Sequence, residues 1–234
     1  MLARRHFLQW TGAAALSALA VSTFAKTPAV AAAPRSTARD FAALEAASGG
    51  RLGVTLLNTG SGQRIGHRQD ERFPMCSTFK FALCATVLRL ADQGKLSLDR
   101  RLAMTTHDLL SHAPVTARHV GKDVTVRDLC RATMVTSDNP AANLLLRVVG
   151  GPAGVTAFLR ASGDDVTRND RYEPDVNRFA PGDPRDTTSP AAMAASLQRL
   201  VLGERLQPAS RQQLADWLID NETGDARLRA GLSK

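Results

Sequence analysis

The sequence has few aromatic residues, few cysteines and no long hydrophobic run. Aromatic side chains make up 5% of the 234 residues, and the lysines and arginines are scattered rather than clustered. Nucleic-acid binding is therefore not expected, because it needs a basic stripe or a stacking platform. No apolar run reaches the length of a transmembrane helix. With 44% hydrophobic residues, the chain is expected to be globular, with one large or two modest domains.

The three cysteines allow at most one disulfide and leave one thiol over. Cys84 falls in a predicted helix that begins near residue 77, and Cys130 begins a later predicted helix. We expect a Cys84–Cys130 disulfide, with Cys76 buried and unpaired. The alternative is that all three are small core residues, and spacing alone does not decide between the two.

The first 33 residues have the pattern of an export signal. Arg4 and Arg5 precede a mild apolar run at 10–24, and small residues at 29–33 suit a signal peptidase. The paired arginines resemble a twin-arginine signal, which exports folded proteins, and a general secretory signal is the alternative. Loss of this segment removes three cations and no acid, so the net charge falls from +8 to +5. A periplasmic location is expected.

The part of the chain after the signal is predicted to begin with a helix and a β-hairpin. Residues 40–47 read as a short helix, and 51–57 and 63–67 read as strands joined by the turn residues 58–62.

The middle of the chain is predicted to be helix-rich. Apolar spacings of three and four, caps and stop signals predict helices at 77–94, from 125, from 139, and at 152–162, 190–202 and 208–219. Between Arg168 and Thr187 this periodicity vanishes, and three prolines mark a loop of about twenty residues. Loops of that length in a compact domain are usually functional.

The segment Ser77-Thr78-Phe79-Lys80 places a nucleophile and a proton acceptor on one helix face, because residues three apart are neighbours there. The amine of Lys80 could remove the Ser77 proton as the hydroxyl attacks a carbonyl. Backbone N–H groups at the helix start favour the developing negative charge. Alone the pattern is weak, since about one S-x-x-K is expected by chance in a chain of this size, and an ordinary helix surface is the alternative.

Two later segments carry further candidate groups. Ser137-Asp138-Asn139 opens a predicted helix, in which Asn139 is expected to be the cap and Pro140 the first helical residue. These residue types are also common helix starts. The long loop holds Glu173 and Asn177 four residues apart, where the alternative is an ordinary solvated loop acid.

Together these segments resemble the class A serine β-lactamases. S-x-x-K followed by S-D-N is a signature of that family and of penicillin-binding proteins. Four further segments resemble segments of the family and occur in the same order along the chain: residues 73–76, 111–116, 171–177 and 182–188. Within the family, the sequence of these segments resembles the exported chromosomal broad-spectrum cephalosporinases. The resemblance implies an α/β two-domain β-lactamase/transpeptidase-like fold, with an all-helical domain and an antiparallel sheet flanked by helices.

The resemblance also implies the domain organisation. After the signal at 1–33, residues 34–75 would form the first part of the α/β domain. Residues 76–219 would form the all-helical domain, including an omega-type loop at 168–187. Residues 220–234 would begin the return to the α/β domain.

The family continues past the region that this chain resembles. It has a strand bearing K-T-G, two further strands and a closing helix, and we do not take Lys234 for the K-T-G lysine. We expect these elements to be missing from this chain. We also expect that the chain is part of an active enzyme and that the 234-residue polypeptide alone is inactive. The alternative is a truncated protein that binds lactams without hydrolysing them.

The resemblance implies chemical roles for five residues. Ser77 would form the acyl-enzyme, and Lys80 would assist its deprotonation. Ser137 would pass a proton to the departing ring nitrogen. Glu173, with Asn177, would hold the water that hydrolyses the ester. Whether Lys80 or Glu173 is the acylation base is disputed for the family.

The remaining implied roles are substrate contact and loop closure. Asn139 would hydrogen-bond the acylamide side chain of the substrate, and His112 would stand at the rim of the cleft. For His112 an ordinary exposed loop histidine is an equal alternative. Arg171 and Asp186 would form a structural ion pair at the neck of the loop.

The expected function is hydrolysis of β-lactam antibiotics, with a penicillin-binding DD-peptidase as the alternative. Glu173 favours the hydrolase, because a peptidase lacks a base that activates water against the ester. The expected partner is a β-lactam molecule, with no nucleic acid, no membrane after export and a monomeric state. No cofactor is implied, and no His/Cys/Asp cluster has the spacing of metal ligands.

Overall fold

The fold combines seven α-helices with six short strands over residues 35–231, which are the residues that the computed structural model describes. The predicted export signal and Lys234 lie outside this range. The helices are α1 Arg35–Ser48, α2 Phe79–Asp92, α3 Val126–Val135, α4 Asn139–Val148, α5 Gly151–Ala161, α6 Pro190–Leu197 and α7 Pro208–Ile219. The strands are β1 Val54–Leu57, β2 Arg64–His67, β3 Phe73–Pro74, β4 Arg101–Met104, β5 Lys122–Thr125 and β6 Thr187–Thr188.

Helix α2 lies at the centre of the helical core. It packs against α3, α4, α5 and α7. Every residue from Phe79 to Leu88 is buried, so the helix is enclosed on all sides rather than on one apolar stripe. Burial of each large apolar side chain, such as Leu83, contributes roughly 1.5–3 kcal/mol. Gly94, with φ +67°, adopts the left-handed backbone that ends the helix.

No single helix within residues 35–231 is both long enough and apolar enough to cross a membrane. The bent pair of α4 and α5 passes that test only when the two are taken together.

The strands form three separate antiparallel pairs within the described part of the chain. The predicted hairpin is present with shorter strands, and Val54 lies opposite His67. The pairs β4–β5 and β3–β6 were not predicted. The β3–β6 pair matters for the site, because it joins the chain just before Ser77 to the end of the long loop. The Met75 N–H continues this connection by donating to the Asp186 carbonyl at 2.9 Å.

The start of α4 differs from the prediction in its capping residue. Asp138, rather than Asn139, is the N-cap, and its Oδ1 accepts from the Ala141 N–H at 3.0 Å. The same buried carboxylate accepts from the N–H groups of Val115 and Thr116 and from the Thr116 hydroxyl, at 2.7–3.0 Å. Asp138 therefore ties the 111–116 segment to α4.

The predicted Cys84–Cys130 disulfide is wrong in this structure, since all three thiols are free. Cys84 and Cys130 are buried where α2 packs on α3, and the Cys84 thiol contacts the Cys130 carbonyl at 3.8 Å. Burial raises the pKa of the Cys84 thiol, which disfavours the thiolate that disulfide exchange requires. Both residues pack as small apolar groups. Cys76, predicted to be buried, is exposed in the turn before α2.

We expect Asp138→Ala to lower the free energy of unfolding by about 3 kcal/mol or more. It removes a helix cap, worth about 1 kcal/mol, and leaves buried donors without an acceptor, each costing about 1–3 kcal/mol. Urea denaturation of the protein from its complete gene measures this. Asp123→Ala, at an exposed strand position, is the control and should change stability by no more than about 0.5 kcal/mol. Equal stability of the two variants would contradict the role of Asp138.

Candidate active site

The buried amine of Lys80 is the centre of the candidate site. Its Nζ donates to the Ser137 carbonyl at 2.8 Å, the Ser137 hydroxyl at 3.0 Å and Asn139 Oδ1 at 2.6 Å. The Ser77 hydroxyl lies 3.4 Å from Nζ, and Glu173 Oε1 lies 3.2 Å from it. The structure therefore brings together four of the five residues with predicted chemical roles, Ser77, Lys80, Ser137 and Glu173, with Asn139 beside them.

Two helix starts create this arrangement. Ser77 lies in the 3-10 turn Cys76–Thr78, so Lys80 sits in the first turn of α2. Ser137 precedes α4 with φ +61°, a left-handed backbone that turns both its carbonyl and its hydroxyl toward Lys80. Helix α4 packs on α2, and this contact fixes the first turns of the two helices relative to each other.

Burial lowers the pKa of Lys80 below its ordinary value, because the charged amine is removed from water. The carboxylates of Glu173 and Asp138 act in the opposite direction, and burial is the larger effect. An amine whose pKa is lowered in this way releases its proton more readily than a surface lysine. It can therefore accept a proton from a nearby hydroxyl.

Glu173 is held at both its backbone and its carboxylate. Asn143 in α4 accepts from the Glu173 N–H and donates to the Glu173 carbonyl, both at 2.9 Å. Asn177 Nδ2 donates to Glu173 Oε2 at 2.7 Å. The other oxygen, Oε1, is buried and forms the ion pair with Lys80 Nζ at 3.2 Å. The carboxylate is therefore fixed between Asn177 and Lys80.

Asn143 is the positioning residue that the sequence prediction missed. It lies one turn after Asn139, inside a helix that is otherwise mostly apolar. A polar amide in a helix interior is unfavourable by propensity and needs a partner when it is shielded from water. That mismatch is the signal that could have identified it.

The neck of the long loop is closed by the expected ion pair. Arg171 Nε lies 2.5 Å from Asp186 Oδ2. The Oδ1 of the buried Asp186 accepts from the N–H groups of Asp170 and Arg171 and from the Asn169 amide, at 2.7–3.0 Å. One carboxylate thus joins the two ends of the loop that carries Glu173.

A cavity of about 570 Å³ opens beside Ser77. Lys80 and Ser137 line it, together with apolar side chains and three unpredicted residues, Asn221, Thr223 and Arg227. Arg227 brings a positive charge to its wall.

The two predicted substrate contacts lie beside Ser137. Asn139 Nδ2 donates to the Ser111 carbonyl at 3.1 Å, and the Asn139 N–H donates to the His112 carbonyl at 3.1 Å. The exposed His112 ring lies 2.8 Å from the Thr136 carbonyl. One face of the site is therefore formed by the 111–112 segment and the start of α4.

A serine hydroxyl beside a buried lysine and a loop glutamate is the arrangement expected of a serine acyl-transfer enzyme. Residues 36–234 match the β-lactamase enzyme family, and the chain belongs to that family. It is 68% identical to Beta-lactamase L2 of Stenotrophomonas maltophilia, over all of this chain and 79% of that protein. It is 48% identical to Beta-lactamase FAR-1 of Nocardia farcinica, over 82% of this chain and 62% of that protein.

Solved structures of class A β-lactamases share the fold. A crystal structure of L2 complexed with relebactam superposes with a TM-score of 0.82 at 76% identity, covering 83% of this chain and 72% of that one. An ancestral class A β-lactamase of Gram-negative bacteria gives 0.83 at 61% identity, covering 84% and 75%. The predicted family and fold class are confirmed. The predicted domain boundaries stay predictions.

We expect Asn143→Ala to slow β-lactam turnover at least tenfold, because the backbone of Glu173 loses both hydrogen bonds that the Asn143 side chain makes to it. Hydrolysis of a chromogenic cephalosporin by the protein from its complete gene measures this. Asn58→Ala is the matched control, since Asn58 accepts from two backbone N–H groups at an exposed turn. It should keep the original rate, and an equal loss in both variants would contradict the positioning role.

Proposed function

We propose that this protein hydrolyses β-lactams through an acyl-enzyme on Ser77. The observation that carries the proposal is the convergence of the Lys80 amine on the Ser77 hydroxyl, the Ser137 hydroxyl and the Glu173 carboxylate. The family and its named relatives support the same chemistry. All of these groups come from one chain, which supports action as a monomer.

In the acylation step, Ser77 Oγ attacks the lactam carbonyl. Its proton passes either to the Lys80 amine, after the ammonium has given a proton to Glu173, or through a water to Glu173. The lactam C–N bond breaks, and the Ser137 hydroxyl delivers a proton to the departing nitrogen and regains one from Lys80. The backbone N–H of Ser77, just before α2, supports the developing oxyanion. The positive Arg227 in the cavity wall suits an anionic substrate group.

Glu173 then returns its proton to the neutral Lys80 amine, which lies 3.2 Å from it. In the deacylation step, Glu173 removes a proton from a water that attacks the Ser77 ester. The position of its buried Oε1 beside Lys80 and the Asn177 bond to Oε2 support this role. General-base assistance is worth typically 10²–10⁴-fold. A penicillin-binding peptidase lacks that assistance and stays acylated, so the position of Glu173 favours the hydrolase over that alternative.

The relatives are longer than this chain, which spans 79% of L2 and 62% of FAR-1. The proposed activity, and the resistance to β-lactams that follows from it, therefore concern the whole protein. The inactivity of the 234-residue polypeptide alone stays a prediction, which a lactam assay of that polypeptide tests.

We expect Ser77→Ala to form no covalent adduct with benzylpenicillin and Glu173→Gln to accumulate one. The first substitution removes the nucleophile, and the second leaves acylation possible while removing the base for water. Intact-protein mass spectrometry after mixing should show the penicilloyl mass persisting at least a hundredfold longer in Glu173→Gln. Glu222→Gln, an exposed glutamate, should turn over like the original protein. Release as fast from Glu173→Gln as from the Glu222 variant would reject the assigned role.

We further propose export through the twin-arginine route to the periplasm, supported by Arg4 and Arg5 before the apolar run. Replacing both arginines by lysine keeps the charge and is expected to leave at least tenfold more protein in the cytoplasm. Fractionation of host cells followed by activity assay measures this, with Lys26→Arg as the control. Unchanged export of the double variant would favour the general secretory route.

A further inference from the structure

A second cavity lies toward the other end of α2 from Ser77. It has a volume of about 330 Å³ and is lined by the last turns of α2, the end of α4, one face of α5 and Arg205. With a rise of 1.5 Å per residue, Arg89 is roughly 18 Å along the helix axis from Ser77. The cavity is therefore separate from the site that carries the acyl-transfer residues.

Among the described residues, the guanidinium groups of Arg89 and Arg205 at this cavity have no acidic partner. Arg89 donates to the Arg205 carbonyl at 3.2 Å, which brings the two residues together. Within the described part of the chain, neither forms an ion pair. The nearby Asp92 is engaged by the Gln207 N–H at 2.8 Å and the Ser210 hydroxyl at 2.6 Å. The cavity thus has an excess of positive charge.

The rest of the lining is mostly apolar. Leu90 of α2, Val149 just after α4, and Ala157 and Phe158 of α5 contribute side chains. Ligand sites commonly have this composition, with an apolar wall and a few polar groups that orient the ligand, and volumes from about 300 Å³ upward. An arginine fork matches the two oxygens of a carboxylate and can bind both at once.

We propose that this cavity binds a small amphiphilic carboxylate. The carboxylate lies between the guanidinium groups of Arg89 and Arg205, and a short apolar body packs against Leu90, Val149 and Phe158. The two guanidinium groups select for an anion. The apolar wall adds affinity only for a ligand with an apolar body, so small inorganic ions bind weakly.

The test titrates 4-phenylbutyrate into the protein from its complete gene, using isothermal titration calorimetry. Saturable binding with one site is expected. Arg89→Gln and Arg205→Gln keep polar side chains but remove the charges, and each should weaken binding at least tenfold. Arg227→Gln removes a cation from the cavity beside Ser77 and should leave binding unchanged.

Ligand controls use the unaltered protein, so they do not depend on the folding of any variant. The neutral 4-phenylbutanamide should bind at least tenfold more weakly than 4-phenylbutyrate, and acetate should not compete at the same concentration. Equal binding of the amide, loss of binding in Arg227→Gln alone, or no saturable binding would each overturn the proposal. None of these measurements depends on lactam hydrolysis.

Discussion

The structure depends on one buried ammonium group and the oxygens that surround it. Removing the charge of Lys80 from water costs several kcal/mol unless hydrogen bonds and an opposite charge offset it. Four neighbouring residues supply those oxygens, and they come from three parts of the chain: the turn before α2, the start of α4 and the long loop. The requirement to satisfy this amine therefore joins segments that are distant in sequence.

The packing of the helical core holds these oxygens close to the Lys80 amine. Helix α2 is enclosed by its neighbours, so its first turn has a fixed position relative to α4. The Asp138 cap fixes where α4 begins, and Asn143, one turn along, holds the loop backbone at Glu173. The β3–β6 pair and Asp186 close the loop from its other end. Glu173 is thus located by contacts on both sides.

The sequence was informative where a local signal exists. The apolar repeat and Gly94 indicated α2, and Ser77 with Lys80 could be paired from helix geometry alone. Asn143 carries no motif, only the weaker signal of an amide inside an apolar helix. Two-residue strands such as β3 have no measurable periodicity. Cysteine spacing contains no information on side-chain direction, so the Cys84–Cys130 prediction failed. The Arg89–Arg205 cavity depends on tertiary packing, which no single segment reveals.

Left-handed backbone at residues other than glycine is concentrated around the site. Cys76, His112, Ser137 and Asp186 have φ between 44° and 61°. Each such residue costs on the order of 1–3 kcal/mol and persists only because its surroundings enforce it. Glycine would relieve the strain, but at Ser137 and Asp186 it would delete the group that the site uses. Substitutions that increase the free energy of unfolding are therefore not available at these two positions without loss of the site. They have to occur elsewhere in the fold.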